Sequence, residues 1–169
     1  MPFIIALFIV LSTPALSSEL PDGWRLPTEK ELTTEPPRDG SPTKYARASS
    51  DVNNDGKIDH VYLLKSTRYP GEGLLIKLST LAGYEWQLLD HVEWGEEYAD
   101  AGLKMRIDLA KPGEYKTACA SGYWQCGAGE PAILKLKRAA IWQDRFDGAT
   151  AIWYWDTHNK IIRKVWLGG

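Results

Sequence analysis

Cysteine is scarce in this chain, with only Cys119 and Cys126 among 169 residues. Two thiols without a neighbouring histidine are too few for a structural zinc, and their spacing is not the Cys-x-x-Cys of a redox centre. Neither sign of charge dominates: 20 Lys and Arg face 22 Asp and Glu, for a net charge of −2 at pH 7. That balance argues against a nucleic-acid surface. The three histidines, His60, His91 and His158, are scattered. There is no Gly-x-Ser-x-Gly, no His-Glu-x-x-His, no P-loop and no Cys beside a His. Gly127-x-Gly129 runs into Glu130-Pro131 rather than a helix, which argues against a nucleotide loop. After residue 17 no apolar stretch is long enough to span a bilayer. Of the enzyme classes weighed, a hydrolase using a carboxylate pair stays open, because its two acids need not be adjacent in sequence.

The first 17 residues, MPFIIALFIVLSTPALS, carry no charged side chain. Phe3–Leu11 has the length of a signal-peptide core, and Ala15-x-Ser17 is a small-x-small cleavage pattern. A signal peptide is therefore expected over residues 1–17, with a buried helix or a membrane anchor as the competing reading. No cysteine lies near the cut, so a lipoprotein signal is not expected. Export to the periplasm or the medium permits a disulfide. Cys119 and Cys126 lie among Gly and Ser in KTACASGYWQCGAGE, and a bridge would close a ring of about eight residues, contributing about 2.5 kcal/mol in the chain-entropy model. Two free buried thiols are the alternative.

Residues 18–43 are rich in Pro, Thr and Glu and read as an N-terminal arm, with Trp24 docking on the body. Pro27-Thr28, followed by Glu29 and Glu31, can start one helical turn, which Pro36 and Pro37 end. From Lys44 onward short alternating runs are broken by turn residues. Nine strands are expected: 44–50, 60–66, 73–80, 85–92, 103–109, 132–138, 141–146, 149–155 and 161–167. One short helix is expected over Glu93–Ala101, and a long Gly-rich loop over 110–131. The fold class is mainly β: one antiparallel sandwich or barrel-like domain over residues 44–169, with one or two short helices at most.

The sharpest signal is Asp51-Val-Asn53-Asn-Asp55-Gly56-Lys57-Ile-Asp59. Calcium takes six to eight oxygens, and side chains at every second position of a tight loop can converge on one ion. Asp51, Asn53 and Asp55 are so spaced. Gly56 lets the backbone reverse, the Lys57 carbonyl then faces inward, and Asp59 binds directly or through water. Position twelve, where an EF-hand places a bidentate Glu, is Tyr62. These nine residues resemble the short calcium loops of FG-GAP and VCBS repeats and of dockerins. The strand-like flanks favour the strand–loop–strand version. The resemblance implies a calcium loop and not a propeller, since the loop occurs once. An Asp/Asn/Gly hairpin turn without metal is the alternative.

Other features are aromatic or acidic. Glu93, Glu96, Glu97 and Asp100 beside His91 form a solvated face or a patch for a basic partner. Tyr123 and Trp124 sit inside the disulfide loop and are candidates for a contact surface. Trp153 and Trp155 share one face of a C-terminal hairpin, with Trp166 on the return strand, and serve either as core or as an aromatic platform. The functional expectation is a secreted or periplasmic, calcium-stabilised domain that binds a protein, as an inhibitor or immunity protein does. A carbohydrate-binding module using exposed Trp and Tyr is the first alternative and an unrecognised hydrolase the second. A calcium loop of this kind predicts a thermal midpoint that rises with calcium and falls with chelator, by about 1.4 kcal/mol at tenfold excess over Kd. Differential scanning fluorimetry of wild type and Asp51→Ala checks it, and no response in either rejects the metal.

Overall fold

A computed structural model describes residues 20–33, 44–145 and 147–168. The expected signal peptide and residues 34–43 of the arm lie outside the described residues. The elements in chain order are β1 (Trp24–Arg25), α1 (Glu29–Thr33), β2 (Arg47–Ser50), β3 (Asp59–Ser66), β4 (Gly71–Thr80) and β5 (Gly83–Glu93). A 3-10 turn (Glu96–Tyr98) leads to β6 (Met105–Ala110), β7 (Gly113–Lys116), β8 (Ile133–Leu136), β9 (Ala140–Arg145), β10 (Thr150–Asp156) and β11 (Ile161–Gly168). All nine expected strands form, and the additional ones are β1 and β7. The long-loop expectation for 110–131 is corrected in part, because residues 113–116 pair with β8. The helix expected over 93–101 is also corrected. Glu93 still belongs to β5, Gly95 takes φ 94°, and only one 3-10 turn follows. The four acids that share a helical face in sequence are exposed side chains on a strand end and a turn.

The strands make three antiparallel layers. The first sheet runs β1-β3-β4-β5, with β2 also paired to β3; the second runs β11-β10-β9-β6; β7 and β8 form a separate hairpin. Alternation places Val61, Leu63, Leu74, Ile76 and Leu78 of the first sheet against Met105, Ile107, Ile141 and Trp153 of the second. The opposite face of the second sheet, Ile152 and Val165 with Ala110 and Ala140, is covered by Leu134 and Leu136 of the hairpin. The second sheet is thus covered on both sides at its centre.

The two sheets are joined differently at their two edges. On one side the residues leading into β2 bond to both: the Tyr45 carbonyl accepts from Ile107 N–H at 2.8 Å, and the Ala46 carbonyl from Leu63 N–H at 2.9 Å. The buried Glu72 carboxylate of β4 accepts the N–H groups of Lys104 and Met105, where β6 begins. On the other side the link is made by side chains. Gln143 of β9 donates to Asp90 of β5 at 2.9 Å and accepts from the Trp153 indole at 2.7 Å. Lys164 of β11 pairs with Asp90 at 3.1 Å and lies 3.8 Å from the Trp166 ring centre. Burial lowers the Lys164 pKa, and the Asp90 carboxylate partly restores it.

The arm docks through a capping box. The Thr28 N–H donates to the Glu31 carboxylate at 2.7 Å, and the Glu31 N–H donates back to the Thr28 hydroxyl at 3.3 Å. Arg25 grips the same carboxylate with both terminal nitrogens, at 2.7 and 2.8 Å. The Glu31 carbonyl then accepts from Leu103 N–H, while Leu32 enters the core. The Arg25 hydrogen bond, opposed by burial and helped by Thr28, lowers the Glu31 pKa from 4.5 to about 2. The ionised form is therefore favoured in the folded state. Its contribution is complete above pH 4.5 and is lost as pH falls towards 2. Because Arg25 is partly in solvent, Glu31→Gln is expected to cost only about 1–2 kcal/mol at pH 7 and little at pH 2. Urea unfolding of both proteins at the two pH values measures the difference.

Candidate functional site

The acidic loop joins β2 to β3, so its flanks are strand on both sides. Asn54 (φ 62°) and Gly56 (φ 85°) occupy the left-handed region and curl the chain inward. The Asp55 N–H donates to both Asp51 Oδ1 and Asn53 Oδ1, each at 3.1 Å, so these two oxygens crowd one nitrogen. Asp51 Oδ2 accepts from Gly56 N–H at 3.0 Å, and Asp55 Oδ1 from Lys57 N–H at 2.9 Å. Asn53 uses its amide nitrogen to hold the Ser79 carbonyl at 2.7 Å. Desolvation raises the Asp55 pKa, but the Lys57 N–H, Ser79 and Asn53 outweigh it and leave the carboxyl below its usual range. Oxygens of Asp51 and Asn53 thus meet at the Asp55 N–H, while Asp55 Oδ1 lies beside the next N–H of the turn.

Asp59, expected to bind directly or through water, stands at the start of β3. It is fully buried, and both of its oxygens are engaged. Oδ2 accepts from Val52 N–H at 2.7 Å, and Oδ1 from Ser79 N–H and the Ser79 hydroxyl, both at 2.7 Å. It ties the backbone of the loop to β4. Among the described residues, no three His, Cys, Asp or Glu side chains gather as a metal group. The loop offers two carboxylates, one amide oxygen and the Lys57 carbonyl.

The second region is the segment between β7 and β8. Cys119 and Cys126 are bridged. The Trp166 carbonyl accepts from Ala118 N–H at 2.8 Å, tying the loop to β11. Tyr123 (58% exposed) and Trp124 (43% exposed) stand edge to face, 6.4 Å between ring centres. The Glu130 carboxylate holds the Trp124 indole N–H, with both oxygens at 3.1 Å, and accepts the Gly127 N–H. With Ala149, Trp166 and Gly168 these rings enclose a shallow cavity of about 360 Å3.

The other two tryptophans of the expected contact surface are elsewhere. Trp153 is 7% exposed and belongs to the inter-sheet core, which corrects its reading as a platform. Trp155 is half-buried and lines a cleft of about 440 Å3 with Glu85, Gln87, Lys160 and the loop residues Asn53 and Asp55. Trp166 does not pair with either: it lies opposite Ala151, and Lys164 lies opposite Trp153. His60 bonds Ser49 on the first sheet, His91 lies near Tyr69, and His158 sits exposed in the β10–β11 turn, so the histidines do not converge.

One constellation was not singled out from sequence. Arg47, His60, Tyr62, Lys77, Tyr84 and Trp86 gather on the solvent side of the first sheet. The signal was there as alternation, His60-x-Tyr62 and Tyr84-x-Trp86, but only strand register shows that the rings meet. No protein-family profile matches the chain, and no curated protein sequence or solved structure matches it. Among the described residues, no helix is long and apolar enough to cross a membrane.

The loop geometry separates two aspartates that look alike in sequence. Asp59→Ala strands buried donors and is expected to cost about 3 kcal/mol or more, whereas Asp51→Ala, in a partly exposed turn, costs about 1 kcal/mol without metal. Chemical denaturation in chelator measures both, and equal losses refute the assignment.

Proposed function

We propose that this chain is an exported, calcium-stabilised β-sandwich that binds a protein partner through the Tyr123–Trp124 cavity, as an inhibitor or immunity protein does. The observation that carries the reading is a pair of exposed aromatic rings on a disulfide-closed loop, with one indole already held by Glu130. Rings fixed before binding lose little freedom on association, and Trp and Tyr are the residues that dominate protein interfaces. The cavity walls are ring faces, Ala149 and the backbone of Gly168. Such walls suit an apolar side chain of a partner, whereas a sugar requires converging polar groups. The apolar leader and the disulfide both support an oxidising compartment outside the cytosol.

Calcium belongs to this proposal as a fastener of the turn. Asp51, Asn53, Asp55 and the Lys57 carbonyl are the groups that hold it. Bound there, calcium neutralises two neighbouring carboxylates and stiffens the link between β2 and β3.

Affinity capture from periplasmic and culture extracts, with the wild type and Trp124→Ala side by side, tests the binding reading. A stoichiometric protein is expected on the wild type. Its affinity for purified Trp124→Ala is expected to drop about 30-fold, about 2 kcal/mol. Unchanged affinity of the variant, or capture of glycan without protein, overturns it.

A further inference from the structure

The solvent face of the first sheet is organised in rows across the strands. One row is Arg47–Tyr62–Leu75–Leu88, and the next is Ser49–His60–Lys77–Trp86. Tyr84 follows beside Lys77. Ring centres of Tyr62 and Trp86 are 5.5 Å apart. The Lys77 ammonium lies 5.6 Å from the Tyr84 ring and 5.9 Å from the Trp86 ring, and the Arg47 guanidinium 5.8 Å from Tyr62. No Asp or Glu occupies a position in these two rows, although the chain as a whole is net negative. Glu85 and Gln87, on the alternating positions of β5, point to the other side and line the cleft at Trp155.

We propose that this face is a platform for an acidic polysaccharide, whose sugar rings lie on Tyr62, Trp86 and Tyr84 and whose anionic groups pair with Arg47 and Lys77. The inference is independent of the Tyr123–Trp124 reading. Charge complementarity selects an anion, because the rows hold two cations and no carboxylate. Interleaved rings select a sugar over an acidic peptide. The C–H face of a pyranose packs on an aromatic face, while an acidic protein would need apolar area to bury, and Leu88 is the one strongly exposed aliphatic in the rows. An open sheet face also accepts an extended polymer, which a closed pocket does not.

Affinity electrophoresis with EDTA present, so that calcium has no part, tests this with polygalacturonate and heparin as probes. Fully methyl-esterified polygalacturonate, dextran and poly-glutamate are the comparators. Retardation is expected with at least one acidic glycan, to weaken with salt, and to be absent with the esterified and neutral polymers. The double substitution Arg47→Gln and Lys77→Gln is expected to weaken it about tenfold, with an unchanged thermal midpoint. Trp86→Ala weakens it as well, and if that variant does not fold the glutamine pair decides. Trp124→Ala leaves it unchanged, which separates this face from the loop surface. Equal retardation by poly-glutamate, no retardation by either acidic glycan, or an unaffected glutamine pair overturns the proposal.

Discussion

A carboxylate with no access to water fixes the loop end of this fold. Asp59 enters the core at the start of β3, and its charge is tolerable there because both of its oxygens accept hydrogen bonds, from Val52, from the Ser79 backbone and from the Ser79 hydroxyl. Those bonds fasten the turn between β2 and β3 to the far end of β4. The Asn53 amide adds a second tie to the same residue. The shape of the acidic loop is therefore set by the sheet beneath it. Its side-chain oxygens are held by backbone N–H groups of the same turn, those of Asp55, Gly56 and Lys57.

Glu72 repeats the device between the sheets. It stands on β4 facing inward and accepts two N–H groups at the start of β6. Together with the Tyr45 carbonyl, which accepts from Ile107 N–H, this closes one edge of the sandwich through one buried carboxylate and backbone groups. The opposite edge is closed by Asp90, Gln143, Trp153 and Lys164, whose bonds depend on side-chain geometry. Side-chain closures break more easily than backbone ladders, because one substitution removes a partner and leaves the others buried and unmatched.

Most of the fold was legible because antiparallel strands announce themselves by alternation and turns. Each of the nine expected strands occurs, and Pro27-Thr28 with Glu31 does start a helical turn. What was missed has local causes. β7 lies in a Gly-rich, charged segment whose strand character comes from pairing with β8. The acids from Glu93 to Asp100 have helical spacing, yet Gly95 in the left-handed region stops a helix and β5 claims Glu93. The burial of Asp59 and its bonds to Val52 and Ser79 were not legible either, because spacing says nothing of burial. For Trp153 the shared face with Trp155 was read correctly, but that face turns to the core. The disulfide and the exposure of Tyr123 and Trp124 followed from a loop that the chain cannot otherwise pack. The Tyr62–Trp86 contact could not be foreseen, since it depends on the register of β3, β4 and β5 and on the bulge that leaves Leu89 as an extra residue opposite the Leu74–Leu75 step.

The surplus of tryptophan and tyrosine over phenylalanine then has a physical account. A Phe ring offers only apolar surface, whereas indole and phenol carry a polar group that lets one ring serve two environments. Trp153 is buried and meets Gln143; Trp124 is exposed and meets Glu130; Trp142 is half-buried and meets Asp144. The same chemistry thus builds the core contact and stiffens the surface contact. Several exposed rings are tied in this way or sit beside a cation, Trp124 through Glu130 and Tyr84 beside Lys77. Rigid apolar area at the surface is costly to solubility unless something covers it for part of the time. Such area lies on two separated regions, one on the disulfide loop and one on the sheet face, and the binding proposals rest on it.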